Sequence, residues 1–95
     1  MKTPCNLVGP AISRLRNKRG LSQAQFVAHL QRQGWDISRE VLARIETRRR
    51  WVTDFEAAFI ARCLKVPVSE LLPKTGMNQQ VDDLVERLER SAQLP

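Results

Sequence analysis

Four residues of the segment ISREVLARIE (37–46) have spacings that place them on one face of a helix: Arg39, Glu40, Ala43 and Arg44. An Arg side chain can bond guanine through two N–H groups, and a Glu carboxylate can accept from cytosine. Ala is short enough to allow close approach or to touch a thymine methyl group. This face is therefore suited to hydrogen bonding with base edges.

The same residues allow a second interpretation. Glu40 can pair with Arg39 or Arg44 on a solvent-exposed face, where an ion pair contributes little to stability. Placing a carboxylate in a nucleic-acid groove, close to the phosphates, also costs electrostatic free energy unless the carboxylate meets cytosine or an Arg. Base contact by the two arginines remains the favoured interpretation.

A helix starting at Ser38 would present this face. Ser is a favoured N-cap residue, and Val41, Leu42 and Ile45 have the spacing of an inward face. The helix should end by Thr47. Its first turn would offer unpaired N–H groups and the positive end of the helix dipole, which both favour phosphate.

A second helix should precede it, starting at Ser22 in a capping box with Gln25 and ending at Gly34. Its expected apolar residues are Phe26, Val27 and Leu30. Trp35 and Ile37 in the connection should be anchored to the core.

The first helix should start at Gly9-Pro10 and end at Gly20, after a partly ordered lead-in over residues 1–8. Ile12, Leu15 and Arg19 should share one face of this helix. The residues expected on its solvent side are Arg14, Arg16 and Lys18.

Thr53 and Glu56 form another capping box. The expected core residues of that helix are Phe55, Ala58, Phe59 and Leu64, and Trp51 before it should be a hydrophobic anchor. A short fifth helix over 68–72 and a linker at 73–76 follow. An amphipathic tail helix then carries Val81, Leu84, Val85, Leu88 and Ala92. Strand-like alternation is lacking, so the predicted fold is all-α.

Charge is unevenly distributed along the 95 residues, whose net charge is +6. Residues 1–53 hold eleven Lys/Arg and three Asp/Glu, whereas residues 54–95 hold five and seven. The basic half contains the helix pair described above. This favours a polyanionic partner, with nucleic acid ahead of an anionic membrane.

Several function classes have little support. No apolar run approaches the roughly 20 residues of a membrane span, and the N-terminus lacks a signal-peptide pattern. Two isolated cysteines fit a protein of the reducing cytoplasm. Cys5 is expected to be a free thiol and Cys63 a small core residue. With one histidine, His29, expected to be exposed, no metal-ligand spacing or catalytic constellation can be assembled. Neither a cofactor nor an enzymatic activity is expected.

Three segments together resemble the Cro/phage-repressor-like helix-turn-helix regulators, also called the xenobiotic-response-element family: LRNKRGLSQAQFVAHL, ISREVLARIE and FIARCLKVPVSELL. The resemblance covers about residues 8–72. It implies a five-helix, lambda-repressor-like DNA-binding domain at 9–73, followed by the amphipathic helix at 77–95. In two respects the chain departs from the family. The connection at 31–37 is longer than usual, and Lys65 stands where a helix-ending Gly is common.

The resemblance also implies roles for individual residues. Arg39, Glu40, Ala43 and Arg44 match base-contacting positions. Phosphate contacts are implied for Ser22, Gln23, Ser38, Arg48, Arg49 and Arg50, although Gln23 can instead brace the recognition helix and three consecutive arginines can be a solubilising loop. Glu46 should support the fold, with Arg16 as one possible partner.

The expected function is therefore sequence-specific binding of double-stranded DNA by a small bacterial or phage regulator, of the repressor type and homodimeric. The tail helix can fold back over Leu71-Leu72 or pair with a second copy, and dimerisation is slightly favoured. The main alternative is an antitoxin-like or other protein-binding module that uses residues 77–95. RNA binding is less favoured, because Phe26, Phe55 and Phe59 all look buried.

Overall fold

The computed structural model describes residues 4–74 and 76–92, with side chains as far as Arg90. Expectations for residues 1–3, 75 and 93–95 lie outside this part of the chain. The described residues form α1 (Gly9–Lys18), α2 (Gln23–Arg32), α3 (Arg39–Glu46), α4 (Asp54–Leu64), a 3₁₀ helix (Val68–Leu71) and α5 (Met77–Ala92). They include no strand. The predicted all-α fold is confirmed, with the short fifth helix as a 3₁₀ turn.

Side-chain caps set the starts of α2, α3 and α4. The hydroxyls of Ser22, Ser38 and Thr53 each accept from the backbone N–H three residues later, at 3.0, 3.2 and 3.1 Å. In turn, the side-chain Oε1 atoms of Gln25 and Glu56 accept from the backbone N–H groups of Ser22 and Thr53, at 2.8 and 3.0 Å. Both predicted capping boxes are confirmed.

The first four α-helices all end in the Schellman arrangement, which needs one residue of left-handed backbone. Those residues are Gly20, Gly34, Arg48 and Lys65, with φ of 72°, 108°, 64° and 59°. In each, the next residue's N–H bonds the carbonyl five residues earlier, at 2.8 to 3.1 Å. The helix ends predicted at Gly20 and Gly34 are confirmed. Lys65 adopts the same conformation without being Gly.

The core lies where α1–α4 and the 3₁₀ helix meet. Its fully buried large side chains are Ile12, Phe26, Leu30, Leu42, Ile45, Ile60, Leu64 and Leu71. Leu42 and Ile45 place one side of α3 in this core, and Ile37 anchors the preceding connection at 3% exposure. The inward side of α3 is therefore set by hydrophobic burial.

The predicted inward face of α4 was partly wrong. Phe55 is 85% exposed and Ala58 also faces solvent. The buried residues of α4 are instead Ala57, Ile60, Ala61 and Leu64. The Thr53 cap and the spacing of these four residues set the rotation of α4 about its axis. That rotation turns Phe55 toward solvent, although its side chain is large and apolar. Phe59 is half-buried and packs edge-on against Trp35, with ring centroids 5.9 Å apart.

Two residues bring the start of α1 against the end of α3. Asn6 donates through Nδ2 to the carbonyls of Ile45 and Arg50, at 3.1 and 2.9 Å, and accepts from the Gly9 N–H at 2.9 Å. A Cβ added at Gly9 would lie 2.3 Å from the Ile45 carbonyl oxygen. Glycine is therefore required here by close approach of two backbones.

α5 lies beside the N-terminal segment and the loop after α3. Gln80 accepts from Arg48, and the Arg87 guanidinium lies 5.8 Å from the ring centroid of Trp51. Trp51 is still 51% exposed, so its prediction as a buried anchor was wrong. Within the described chain, no helix combines the length and apolar character that crossing a membrane requires.

Candidate nucleic-acid interface

The outward face of α3 carries the residues predicted to contact bases. Arg39, Glu40 and Arg44 are exposed, and Ala43 is half-buried between them and the core. Among the described residues, these three charged side chains form no ion pair with one another or with a neighbour. Their hydrogen-bonding groups are therefore available to an external partner.

A largely buried polar network fixes the other side of α3. Arg16 of α1 donates through Nε and Nη2 to the two carboxylate oxygens of Glu46, at 2.8 and 3.0 Å. Gln23 at the start of α2 donates to Glu46 Oε1 at 3.1 Å. The three helices of the motif thus meet at one carboxylate.

Arg16 is only 8% exposed, so its predicted place on the solvent side was wrong, whereas its pairing with Glu46 is confirmed. The hydrogen bond to Glu46 raises the pKa of Arg16 above its ordinary value. Its Nη1 also donates to the Leu21 carbonyl at 2.7 Å. Such a satisfied pair orients α3, and losing one partner would leave a nearly buried charge uncompensated.

The three arginines after α3 have different environments. Arg48 donates through Nε to the Asn6 carbonyl at 2.9 Å and through Nη2 to Gln80. Arg50 donates through both terminal nitrogens to Glu56, each at 3.0 Å. Arg49 is exposed, and its side chain makes no ion pair within the described residues.

Arg49 also occupies a distinctive place in the helix-ending turn. In the other three turns, the residue after the left-handed position is Leu21, Trp35 or Val66, each packed against the core. An apolar residue is usual there because it packs on the preceding helix. The turn after α3 instead points an arginine into solvent.

Ser22 and Ser38 are exposed at the N-termini of α2 and α3. Each hydroxyl oxygen accepts its capping bond, which leaves the O–H free to donate to an anion. These hydroxyls can thus cap a helix and contact a phosphate at the same time.

The described residues offer little for other chemistry. No group of three or more His, Cys, Asp or Glu side chains among them is placed to hold a metal ion. Burial raises the pKa of the Cys63 thiol, which disfavours the reactive thiolate.

A helix-turn-helix family model matches residues 12–71, which are 60 of the 95 residues. The chain belongs to the Cro/C1-type helix-turn-helix family. No curated protein and no solved structure matches it. Members of this family are DNA-binding transcriptional regulators, and the matched range includes α3 and its bracing network.

Sequence reasoning missed two residues that shape this interface. Asn6 ties α1 to α3, and its local signal is an Asn three residues before the helix start at Gly9. Gln80 contacts Arg48 across 32 positions, and nothing in the local sequence indicates that pairing.

Proposed function

We propose that this regulator binds double-stranded DNA sequence-specifically as a repressor, with α3 as the recognition helix in the major groove. The observation that carries the proposal is the contrast between the two sides of α3. Its outward arginines have no internal ion-pair partner in the described chain, whereas its inward side is fixed by Leu42, Ile45 and the Glu46 network. A fixed helix with free hydrogen-bond donors is what direct base recognition requires.

Base contacts are assigned to Arg39, Glu40, Ala43 and Arg44. The two arginines suit guanine and Glu40 suits cytosine, because their donors and acceptors match those bases in the major groove. Ala43 lets the helix approach closely. The absence of an Arg39–Glu40 or Glu40–Arg44 pair in the described structure favours this assignment over a solvated ion-pair face.

Phosphate contacts are assigned foremost to Arg49, with the hydroxyls of Ser22 and Ser38 beside it. Arg48 and Arg50 are less available, since Gln80 and Glu56 already engage them. The side-chain amide of Gln23 donates to Glu46, and this hydrogen bond favours a role in bracing α3 over a phosphate contact.

The active form is proposed to be a homodimer on an inverted repeat. Two copies would place their α3 helices about 34 Å apart, roughly one turn of DNA. α5 supports this assembly, because Val81, Val85 and Leu88 remain 39 to 53% exposed along one stripe. Pairing of two such stripes would bury apolar surface that the single chain leaves in water.

The same stripe supports a second candidate function, in which α5 binds a different protein as an amphipathic helix in a groove. Expression of the full chain in its native host separates the two possibilities. A stoichiometric small protein that co-purifies with the full chain, and is lost on replacing Leu88 with Glu, would favour this candidate.

Salt-dependent binding of duplex DNA tests the phosphate contacts in this proposal. Affinity for a random-sequence duplex should fall with salt. Arg49→Ala should reduce the salt slope, the magnitude of the slope of log K against log salt, by about 0.9, as expected for one lost phosphate contact. Arg62→Ala removes the same charge from an exposed position on α4 and is the control. Equal slopes for Arg49→Ala and the unmodified protein would remove Arg49 from the interface.

A further inference from the structure

The turn after α3 lacks two features that usually stabilise a Schellman ending. Its left-handed residue is Arg48, with φ 64°, where glycine is the residue that adopts this backbone without strain. The next residue, Arg49, is exposed rather than packed on the core. Contacts from elsewhere in the chain must therefore hold this turn.

Three such contacts converge on Arg48. The Cys5 N–H donates to its carbonyl at 3.0 Å, its Nε donates to the Asn6 carbonyl at 2.9 Å, and its Nη2 donates to Gln80 Oε1. The first two come from the N-terminal segment and the third from α5. The guanidinium is thus held between the N-terminal segment and the start of α5.

Gln80 is well placed for this contact. It is half-buried, and with Val81 and Leu84 of α5 it lines a small cavity whose opposite wall includes Leu7. Arg87 over Trp51 gives α5 a second contact with the same loop, at 5.8 Å from the ring centroid. The side chains lining this cavity and the hydrogen bond to Gln80 together pack the start of α5 against Arg48.

We propose that Gln80 is a positioning residue for DNA binding: by holding the guanidinium of Arg48, it fixes the strained turn that presents Arg49 to phosphate. The inference rests on the proposed phosphate contact of Arg49. Arg48 then acts as the anchor of the turn rather than as a phosphate ligand. The conformation of α5 is consequently coupled to DNA affinity, although α5 lies outside the matched helix-turn-helix range.

An alternative role for Gln80 would change the salt slope in the opposite direction. If Gln80 merely kept Arg48 from DNA, its loss would free a guanidinium for phosphate and increase the salt slope. The left-handed backbone at Arg48 and its three converging contacts favour the positioning role, because they describe a residue that organises its own turn.

Gln80→Ala, compared with Gln79→Ala, tests the proposal in the full chain. Gln79 is the adjacent, exposed glutamine, and its amide bonds Asp83 within α5 at 2.9 Å. Binding to a random-sequence duplex is measured at several salt concentrations. Gln80→Ala should bind roughly 3- to 10-fold more weakly, the equivalent of one lost hydrogen bond. Its salt slope should fall by up to about 0.9, as for Arg49→Ala. Gln79→Ala should match the unmodified protein.

Two further variants separate positioning from general loss of structure. Gln80→Met keeps the length and apolar packing of the side chain but removes the acceptor oxygen that contacts Arg48, so it should lower the salt slope as Gln80→Ala does. Arg48→Gly removes the backbone strain that Gln80 is proposed to offset. The double variant Arg48→Gly, Gln80→Ala should therefore bind the duplex with the same affinity as Arg48→Gly alone.

Several results would overturn the inference. These are equal behaviour of Gln80→Ala and Gln79→Ala, a larger slope for Gln80→Ala, or a persistent effect of Gln80→Ala in the Arg48→Gly background. Failure of the proposed function gives a different result, since the unmodified protein would then show no salt-dependent duplex binding.

Discussion

Three consecutive arginines, 48–50, have three different environments because each has a different set of neighbours. Arg48 is bound to Asn6 and Gln80, Arg50 is bound to Glu56, and Arg49 faces solvent. Charge alone would make them equivalent phosphate ligands. Their partners make Arg49 the one whose guanidinium can approach DNA without first leaving an internal contact.

The Arg50–Glu56 pair should make stability depend on pH. The hydrogen bond from Arg50 holds the pKa of Glu56 below its ordinary value of 4.5, with a further contribution from the Thr53 N–H. A lowered folded-state pKa stabilises the fold above the ordinary pKa, and this contribution disappears as the pH falls through the folded-state value.

Glu56→Gln keeps a capping side chain but removes the carboxylate. At pH 7 it should lower the free energy of unfolding by about 1 kcal/mol, since the pair is partly solvent-exposed. The difference from the unmodified protein should shrink as the pH falls below 4.5. Urea unfolding of both proteins from pH 7 to pH 3 measures this. A difference independent of pH would show that the carboxylate charge contributes nothing.

At the scale of elements, the four Schellman endings differ in how well their residues suit a left-handed backbone. Gly20 and Gly34 adopt it freely, whereas Arg48 and Lys65 do so with strain. Arg48 has contacts from Asn6 and Gln80, and Lys65 is exposed. Lys65 is therefore the position where relief of strain should increase stability.

Lys65→Gly should raise the free energy of unfolding by about 1 kcal/mol, because glycine removes the Cβ penalty at φ 59°. Gly20→Ala is the matched control and should have the opposite sign, since it introduces a Cβ at φ 72° in open space. Thermal unfolding should shift by about 4–8 °C in opposite directions. A loss of stability in Lys65→Gly would mean that the lysine side chain makes a contribution larger than the strain.

Local signals predicted the elements well. The caps at Ser22, Ser38 and Thr53 and the ends at Gly20 and Gly34 depend on residues a few positions apart, which the sequence displays directly. The outward side of α3 followed equally from helical spacing.

Burial and partner choice depend on tertiary packing, and there the predictions were less successful. Phe55 is exposed because the rotation of α4 is set by smaller residues, and Arg16 is buried because Glu46 lies 30 positions away in sequence. Gln23 and Arg48 also have partners far away in sequence, Glu46 at 23 positions and Gln80 at 32 positions. Spacing alone could not distinguish a phosphate ligand from a residue that braces the fold.

At the scale of the whole molecule, a basic helix-turn-helix half is joined to a weakly acidic half that contains α5. Residues 1–53 carry the excess of Lys and Arg, and α5 carries an apolar stripe that the single chain leaves partly exposed. DNA contact and self-association are thus proposed for different parts of a small chain.

Leu88 is the most exposed residue of that stripe, at 53%, and Leu88→Glu should weaken self-association. A charge in the apolar interface should raise the dimer dissociation constant about tenfold or more. Sedimentation equilibrium of the unmodified chain, Leu88→Glu and a chain without residues 77–95 measures the effect. The same mass distribution for all three proteins would exclude α5 from the dimer interface.

The central claim is that the outward face of α3 recognises base sequence. Its most direct test is selection of bound duplexes from a random pool by the unmodified protein and by Arg44→Ala in parallel. The unmodified protein should enrich an inverted repeat with half-sites about one DNA turn apart. Arg44→Ala should lose the preference at one position of each half-site, at a cost of about 1–3 kcal/mol against the selected site. Enrichment of no sequence by the unmodified protein, or an equal loss on selected and random DNA for Arg44→Ala, would contradict the account.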